Sequence, residues 1–410
     1  MELRSYQKEI AFDIRLRLSE DKFVYLSAEV RTGKTLTVLE AVKSYQNVLF
    51  ITKKKAFTSI ESDFKALGYT NNLTLINKES IHKIEHNDFD VVVCDEAHGL
   101  FGTFPKQNAF TKVFKKRFGN LPIVMLSGTP TPESYSQLFH QFWISKFAPF
   151  SHYTNFYKWA KDFVNIKQVN FGYATVNDYS NAKYNLIEPI IRPYLITFTQ
   201  EEAGFTTKIN EVVHYVEMKK STYNLAEVLK VDKCYVGASG ETIIADTSAK
   251  LSQKLHQIYS GTIKLDNGKK IVFDRSKAEF IKSNFKGKLA IFYKFTAEFD
   301  ALKEVFRDEL TNDLSEFNET NKHIALQIVS GREGINLSKA NDLIFYNIDF
   351  SATSYWQGRD RLTTKDRAEN NVHWIFSTNG MEREIYKTVM GKKKFTTKIF
   401  EKWQASTKQK

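Results

Sequence analysis

The sequence predicts an α/β protein with two parallel-sheet domains and a helical insertion. Three observations predict it. Short apolar, β-branched runs recur between segments with helix spacing. The runs are continuous rather than alternating, which suits strands buried on both faces of a parallel sheet. The pattern occurs twice, on either side of a stretch of different character, and 410 residues suit two or three domains.

The elements follow in order. Residues 22–28 (KFVYLSA) predict a first strand. After a loop, residues 34–43 place Leu36, Leu39 and Val42 on one helical face. Residues 48–52 (VLFIT) predict a strand, 56–67 a helix, and 73–76, 89–96 and 123–130 three more strands. From about residue 133 the character changes. SQLFHQFWISKF and TNFYKWAKDF are aromatic and read as helical, and residues 261–274 read as a hairpin with a type I′ turn at Asn267-Gly268. A second α/β pattern then begins, with strands expected at 288–295, 324–330, 341–350 and 371–378 and a basic helix at the end. The division is placed at residues 1–200, with a helical extension from about 133, and 201–410, with a helical and hairpin insertion to about 285.

Composition excludes several classes. Hydrophobic residues make up 42% of the chain, too many for a disordered one. The two cysteines, Cys94 and Cys234, offer no disulfide framework and fit a reducing cytosol, with Cys94 expected as a buried thiol. The sequence has no apolar run long enough to span a membrane, and its N-terminus lacks the apolar core of a signal peptide. No zinc-ligand spacing occurs. The net charge of +12 favours an anionic partner, nucleic acid first. The runs at Lys53-Lys54-Lys55, Lys115-Lys116-Arg117 and Lys392-Lys393-Lys394 suit a DNA groove, although each alone is an ordinary solvated face. Tyr355, Trp356, Trp143 and Trp159 are candidates for base stacking, the last two better explained as core.

Two motifs carry chemistry. Residues 28–35 (AEVRTGKT) sit between a strand and a helix, where backbone amides and the helix dipole hold phosphate oxygens. Gly33 lets the backbone approach closely, Lys34 reaches the β- and γ-phosphates, and Thr35 ligates Mg²⁺ through its hydroxyl. Ala28 stands where the full pattern has glycine. Asp95, Glu96, Ala97 and His98 follow the strand VVVC, at the end of a parallel strand where ligands bind in open sheets. Asp95 can hold Mg²⁺ through water, Glu96 can orient or deprotonate the attacking water, and His98 can couple the nucleotide to the rest of the domain.

With these residues in place, nearly the whole chain resembles the superfamily-two helicases, and among them the Swi/Snf-type DNA translocases. LRSYQ resembles the adenine-reading Q motif, with Gln7 on the base edge and Arg4 and Tyr6 beside it. AEVRTGKT resembles motif I, with Arg31 where the family has its first glycine, followed by Thr32 and Gly33. LFITKKK resembles motif Ia, the DEAH box is motif II, and SGTP is motif III, where Ser127 and Thr129 would link the ATP and DNA sites. IFYKF resembles motif IV. SGREGINL resembles motif V, with Gly334 and Asn336 at the family's positions. YWQGRDR resembles motif VI, anchored on Gln357. His256, in KLHQIYSG, resembles a recurring segment between the lobes and reads as structural or close to nucleic acid.

The resemblance implies two RecA-like P-loop lobes gripping ATP–Mg²⁺ between them. It implies Arg361 as the arginine that reaches the γ-phosphate, with Arg359 the alternative, because Thr364 replaces the family's second arginine. It places Thr52, Lys53, Lys294, Ser330 and Gly331 on the nucleic-acid backbone. The expected activity is a DNA-stimulated ATPase that translocates on duplex or branched DNA, independently of sequence, in replication, recombination or remodelling. Two alternatives stand: a strand-separating DNA or RNA helicase, and a nucleotide-switched binding module with little turnover. A cytosolic protein, monomeric or weakly associating, is expected, and the Lys/Asn/Phe-rich composition suits a phage or mobile element.

Overall fold

The computed structural model describes residues 2–86, 88–170, 175–237, 240–331, 335–364 and 367–391. The chain divides into two compact units, Met1–Phe205 and Thr206–Lys410. Each is a six-stranded sheet flanked by helices, and every pairing within the two sheets is parallel. These are two RecA-like α/β lobes.

In the first lobe the strands are β1 (Phe23–Ala28), β2 (Asn47–Ile51), β3 (Asn72–Ile76), β4 (Val91–Cys94), β5 (Ile123–Ser127) and β6 (Leu195–Phe198), in the order β3-β2-β4-β5-β1-β6. Their continuous apolar runs have a direct cause. Val24, Leu26, Val48, Phe50, Val91 and Val93 face one buried cluster, together with Ile10, Ile14 and Leu18 of the helix Ser5–Glu20 and Val38 and Leu39 of the helix Lys34–Val42. The alternate residues Phe23, Tyr25, Leu49, Ile51, Val92 and Cys94 face the other, where Phe101, Phe114 and Phe118 cover them. Both faces of the interior strands β1, β2, β4 and β5 are dry, so the alternation of a half-exposed strand disappears there.

The aromatic insertion joins the second of these clusters through Phe139, Phe150, Phe156, Trp159 and Phe163. Its second segment is helical as expected, over Phe156–Phe163. Its first is a correction: beyond a short 3₁₀ turn, only Leu138–Gln141 is helical. Phe139, Phe142, Trp143, Ile144 and Phe150 are all buried, so the apolar positions surround the segment instead of lining one side. The chain beyond Gln141 folds into a compact buried loop, with the Phe150 amide on the Phe142 carbonyl at 3.0 Å and the Lys146 amide on the Gly119 carbonyl at 2.9 Å. Trp143 and Trp159 are core residues.

The second lobe contains β7 (Lys208–Val216), β8 (Leu289–Tyr293), β9 (Leu310–Thr311), β10 (His323–Gln327), β11 (Asp342–Phe345) and β12 (Glu369–Ser377), in the order β9-β10-β8-β11-β12-β7. The sheet strand β7 lies inside the stretch read as a helical and hairpin insertion. It pairs with β12 along its whole length, from Lys208↔Glu369 to Val216↔Ser377. It is an edge strand, and Asn210, Glu211 and His214 interrupt its apolar residues, which hid it from a search for continuous runs. β10 stops at Gln327, and the chain turns helical over Ile328–Gly331.

The hairpin of Thr262–Lys264 with Lys270–Val272 forms, but its turn is not type I′. Gly268 has φ +86° and Asn267 is not among the positive-φ residues. The Gly268 amide bonds the Leu265 carbonyl at 3.0 Å, and the Leu265 amide bonds the Lys269 carbonyl at 2.9 Å. This is a three-residue loop closed by a left-handed glycine. Only Gly268 needs the left-handed region, so Gly268→Ala should cost about 1 kcal/mol and Gly268→Asn less. Chemical denaturation followed by circular dichroism checks the order; an alanine variant at least as stable as the asparagine one contradicts it.

Candidate active site

β1 ends at Ala28, residues 29–33 form a loop, and a helix begins at Lys34. Arg31 and Gly33 are left-handed, at φ +65° and +82°. A Cβ on Gly33 would stand 2.2 Å from Gln7 Nε2 and displace that amide, and the left-handed backbone favours glycine there. The amides of a helix's first turn have no carbonyl four residues back and point toward whatever lies at its N-terminus. Lys34 Nζ donates to the Ala28 and Glu29 carbonyls at 2.8 and 3.0 Å. Thr35 sits in the same turn, half-buried. The Thr32 hydroxyl donates to the Glu29 carbonyl at 2.8 Å.

The helix Ser5–Glu20 delivers the N-terminal trio to this loop. Tyr6 donates through its hydroxyl to the Thr32 carbonyl at 3.2 Å, and Arg4 Nη1 donates to that hydroxyl at 3.0 Å. Gln7 is buried. Its Oε1 accepts from the Arg4 amide at 2.9 Å, and its Nε2 lies 3.4 Å from the Gly33 carbonyl. The trio therefore braces the phosphate loop directly.

The acidic box lies at the same end of the sheet. The Asp95 carboxylate accepts from the Thr52 hydroxyl at 2.8 Å and from the Glu96 amide at 3.0 Å. Burial, reinforced by the charge of Glu96, pushes the Asp95 carboxyl up to about 6, against the pull of Thr52, Lys34 and the Glu96 amide. Glu96 is left-handed, at φ +50°, and its Oε2 is buried without a hydrogen-bond partner. His98 Nδ1 lies 2.8 Å from Ser127 Oγ and 3.4 Å from Glu96 Oε2. Ser127 Oγ also accepts from the Thr129 amide at 3.1 Å. The three residues expected to couple the motifs thus form one chain, and Thr129 Oγ1 is a second buried atom without a partner. Behind them, Tyr25 donates to Gln141 Oε1 at 2.6 Å, and Gln141 Nε2 donates to the Pro130 carbonyl at 3.0 Å, fixing the SGTP loop.

These residues fit a magnesium–nucleoside triphosphate: a glycine-dependent loop, an ammonium and a hydroxyl at a helix start, a half-buried carboxylate, and buried oxygens of Glu96 and Thr129 without a hydrogen-bond partner. One assignment moves. Thr52, expected on nucleic acid, is 5% exposed and spends its hydroxyl on Asp95, so it belongs with the acidic box. Lys53, Lys54 and Lys55 remain exposed at the end of β2. Lys115 and Arg117 do not form an open basic face: Lys115 Nζ lies 3.0 Å from the centre of the Trp143 ring, and Arg117 donates to the Ile81, Ile84 and His86 carbonyls.

In the second lobe several expected contacts are turned inward. Lys294 pairs with Asp349 at 2.9 Å and lies over the Phe350 ring at 3.6 Å; burial lowers its ammonium pKa despite the opposing pull of Asp349. Gly331 packs so tightly that a Cβ would stand 2.5 Å from the Phe292 ring, which places it in the core. Ser330 shares that helical turn. Asn336 is exposed and accepts from the Ser338 amide at 3.0 Å. Gly334 and the basic run at 392–394 lie outside the described residues. His256 is fully buried, 2.6 Å from Asn347 Oδ1 and stacked on Phe350; burial carries its pKa well below the usual value, so its role is structural.

Motif VI occupies the helix Ala352–Arg359 and the turn after it. Gln357 is 2% exposed, with an orphaned Oε1, and its carbonyl accepts from Arg361 Nε at 3.1 Å. Arg359 lies over Trp356 and donates to Glu211 at 3.0 Å. Tyr355 is 2% exposed and stacked on Trp374, which removes it from base stacking. Glu211 is the residue that sequence reasoning missed. It accepts from the hydroxyls of Tyr355 and Tyr386, from Trp374 Nε1 and from Arg359. A glutamate inside an edge strand offered no sequence signal for this role; its donors come from distant segments.

Residues 26–280, more than half the chain, match the family model described as SNF2-related domain. The chain belongs to the SNF2-related domain family. As an SNF2-related protein it is an ATPase of the superfamily-two helicase type. Two solved structures are similar to it. The Sulfolobus solfataricus SWI2/SNF2 ATPase core in complex with dsDNA is 16% identical, with a TM-score of 0.43, over 95% of this chain and 91% of that one. The Sulfolobus solfataricus SWI2/SNF2 ATPase core domain is 17% identical, with a TM-score of 0.43, over 95% and 88%. Among curated proteins no relative matches.

The Asp95 shift has a measurable consequence in this SNF2-related chain. A carboxyl whose folded pKa is raised to about 6 destabilises the fold as pH climbs from the unfolded value of 3.8 toward 6, and the cost is constant above that. Asp95→Asn lacks the cost. In magnesium-free buffer it should be more stable than the parent at pH 8, by up to about 3 kcal/mol, with the gain shrinking toward pH 4.5. Thermal melts across that range check it; a variant that melts below the parent at pH 8 contradicts it.

Proposed function

We propose that the chain is an ATP-driven motor on nucleic acid, a DNA-stimulated ATPase that translocates on duplex or branched DNA without regard to sequence. The observation that supports this reading is the grouping at the C-terminal edge of the first sheet of Lys34 at the phosphate loop, Asp95 held by Thr52, and His98 on Ser127. The exposed Lys53-Lys54-Lys55 run begins just past β2, next to Asp95, because Ile51 and Cys94 are register partners. A backbone-binding surface therefore adjoins the nucleotide residues, and the net charge of +12 acts in the same direction.

In this reading Arg4, Tyr6 and Gln7 hold the phosphate loop open and meet the adenine edge. Arg31, Thr32 and Gly33 form the cradle, and Lys34 offers its charge to the β- and γ-phosphates. Thr35, and Asp95 through water, would hold Mg²⁺, which would neutralise charge on the phosphate oxygens when bound. The Thr52 hydroxyl keeps Asp95 oriented. Glu96, whose Oε2 is buried without a hydrogen-bond partner, takes up the proton of the attacking water. His98 stands between that carboxylate and Ser127, so a change at Glu96 reaches Thr129 and the SGTP loop. Arg361 is assigned to the γ-phosphate, with Arg359 the alternative. Gly334 and Asn336 complete the nucleotide contacts, and Gln357 anchors motif VI.

A second reading has a specific observation behind it. Lys294 and Arg359 are both held by internal carboxylates, Asp349 and Glu211. A second lobe whose cations are engaged internally suits a nucleotide-controlled DNA-binding switch with slow turnover.

Phosphate release measured with duplex, forked, single-stranded DNA and RNA separates these readings. Duplex or branched DNA should stimulate the parent most, with stimulation falling steeply from about 50 to 200 mM salt. Lys34→Ala should lose about 10²-fold or more of the activity. Stimulation by single strands or RNA alone selects the helicase reading, a burst of one turnover selects the switch, and a Lys34→Ala protein of normal rate overturns all three.

A further inference from the structure

The phosphate loop of this chain is built with little glycine. Ala28 opens it, and Arg31 holds a left-handed conformation that is strained for a non-glycine residue. Such a conformation persists only where neighbours impose it. Tyr6 and Gln7 hold residues 32 and 33. The residues ahead of Arg31 are held from the opposite side, by β6 and the turn that follows it. The β1–β6 ladder, whose last register pair is Ala28↔Phe198, continues with the Glu29 amide on the Phe198 carbonyl at 2.9 Å. Gln200 then makes two contacts: its amide donates to Glu29 Oε2 at 2.7 Å, and its side-chain Nε2 donates to the Val30 carbonyl at 2.9 Å.

Gln200 is itself well fixed. The Phe205 amide bonds its carbonyl at 2.9 Å, and the Glu202 carboxylate accepts from the Thr199 amide at 2.7 Å and from the Thr199 hydroxyl at 2.9 Å. This turn ends the first compact unit, which closes at Phe205. A few residues on, the Thr207 hydroxyl donates to the carbonyl of Thr364, just beyond Arg361. The end of the first unit is thus tied to its phosphate loop, and the start of the second to the segment after motif VI.

We propose that Gln200 is a positioning residue for the phosphate loop, holding the Val30 carbonyl so that Arg31 stays left-handed and the cradle stays open, and that through it nucleotide binding tightens the connecting turn. The proposal rests on the nucleotide reading above. By linkage, a contact that favours the binding-competent loop is itself favoured when nucleotide binds.

The test uses the full chain and a fluorescent, non-hydrolysable ATP analogue. Gln200→Ala and the near-isosteric Gln200→Glu, which removes the donor to Val30, should each weaken binding about 5- to 10-fold. Glu29→Gln, which keeps an oxygen for the Gln200 amide, should bind nearly as the parent, and Glu29→Ala more weakly. Analogue should slow cleavage at Glu201 and Glu202 by a glutamate-specific protease in the parent but not in Gln200→Glu. If the parent binds and Gln200→Glu binds equally well with the same protection, the brace is wrong while the nucleotide reading stands. A folded parent that binds no analogue overturns both.

Discussion

The Asp95 carboxylate follows an interior strand, half-buried, and the Thr52 hydroxyl and the Glu96 amide satisfy its oxygens there. A buried carboxylate is costly unless its oxygens are satisfied. The rest of the first lobe is arranged so that they are. β2 is register-paired with β4, and that pairing brings Thr52 beside Asp95. The next residue turns left-handed, and this sends Glu96 and His98 away from the strand axis toward β5 and Ser127. The phosphate loop lies across β5 at the end of β1, near enough for the Lys34 charge to act on Asp95. The strand order therefore assembles the site, and the dry core on both faces keeps it rigid.

The second lobe solves a similar problem with other residues. Lys277 and Glu382 form a pair at 2.7 Å with no exposure at all, and the Ser377 amide also donates to Glu382. Gly380 lies so close that a Cβ would stand 1.8 Å from Glu382 Oε2, so the glycine makes room for the carboxylate. Glu211 gathers two tyrosines, a tryptophan and an arginine, and Asn347 links His256 to Glu298. Losing one partner of such a group leaves a buried polar atom unsatisfied, which ties β7, β11, β12 and the motif VI helix together.

Much of this was legible in the residues. The strands at 48–52 and 73–76, the helix after Lys34 and the buried Cys94 follow from local pattern, because each depends on burial or on a strand–loop–helix unit read in order, whereas the grouping of His98 with Ser127 and Thr129 followed from the family resemblance. β6 and β7 were not legible. One is short and the other is interleaved with polar residues, and both earn their places at sheet edges through neighbours far away in sequence. The segment after Ser136 failed for the opposite reason: it is apolar on every side, and periodicity loses its meaning when all directions face protein.

The sequence by itself determined the fold class, the order of the elements and the chemistry at the strand ends, because these depend on residue type and on neighbours within a few positions. Only the tertiary structure decided which charges look outward. Lysine and arginine look the same in a sequence whether they meet a phosphate or a buried carboxylate. Asp349, Glu211 and the Trp143 ring claim Lys294, Arg359 and Lys115 from distant points of the chain, and the Ile81, Ile84 and His86 carbonyls claim Arg117. The same holds for Thr52 and Gln200, whose partners are set by strand pairing across the sheet rather than by spacing along the chain.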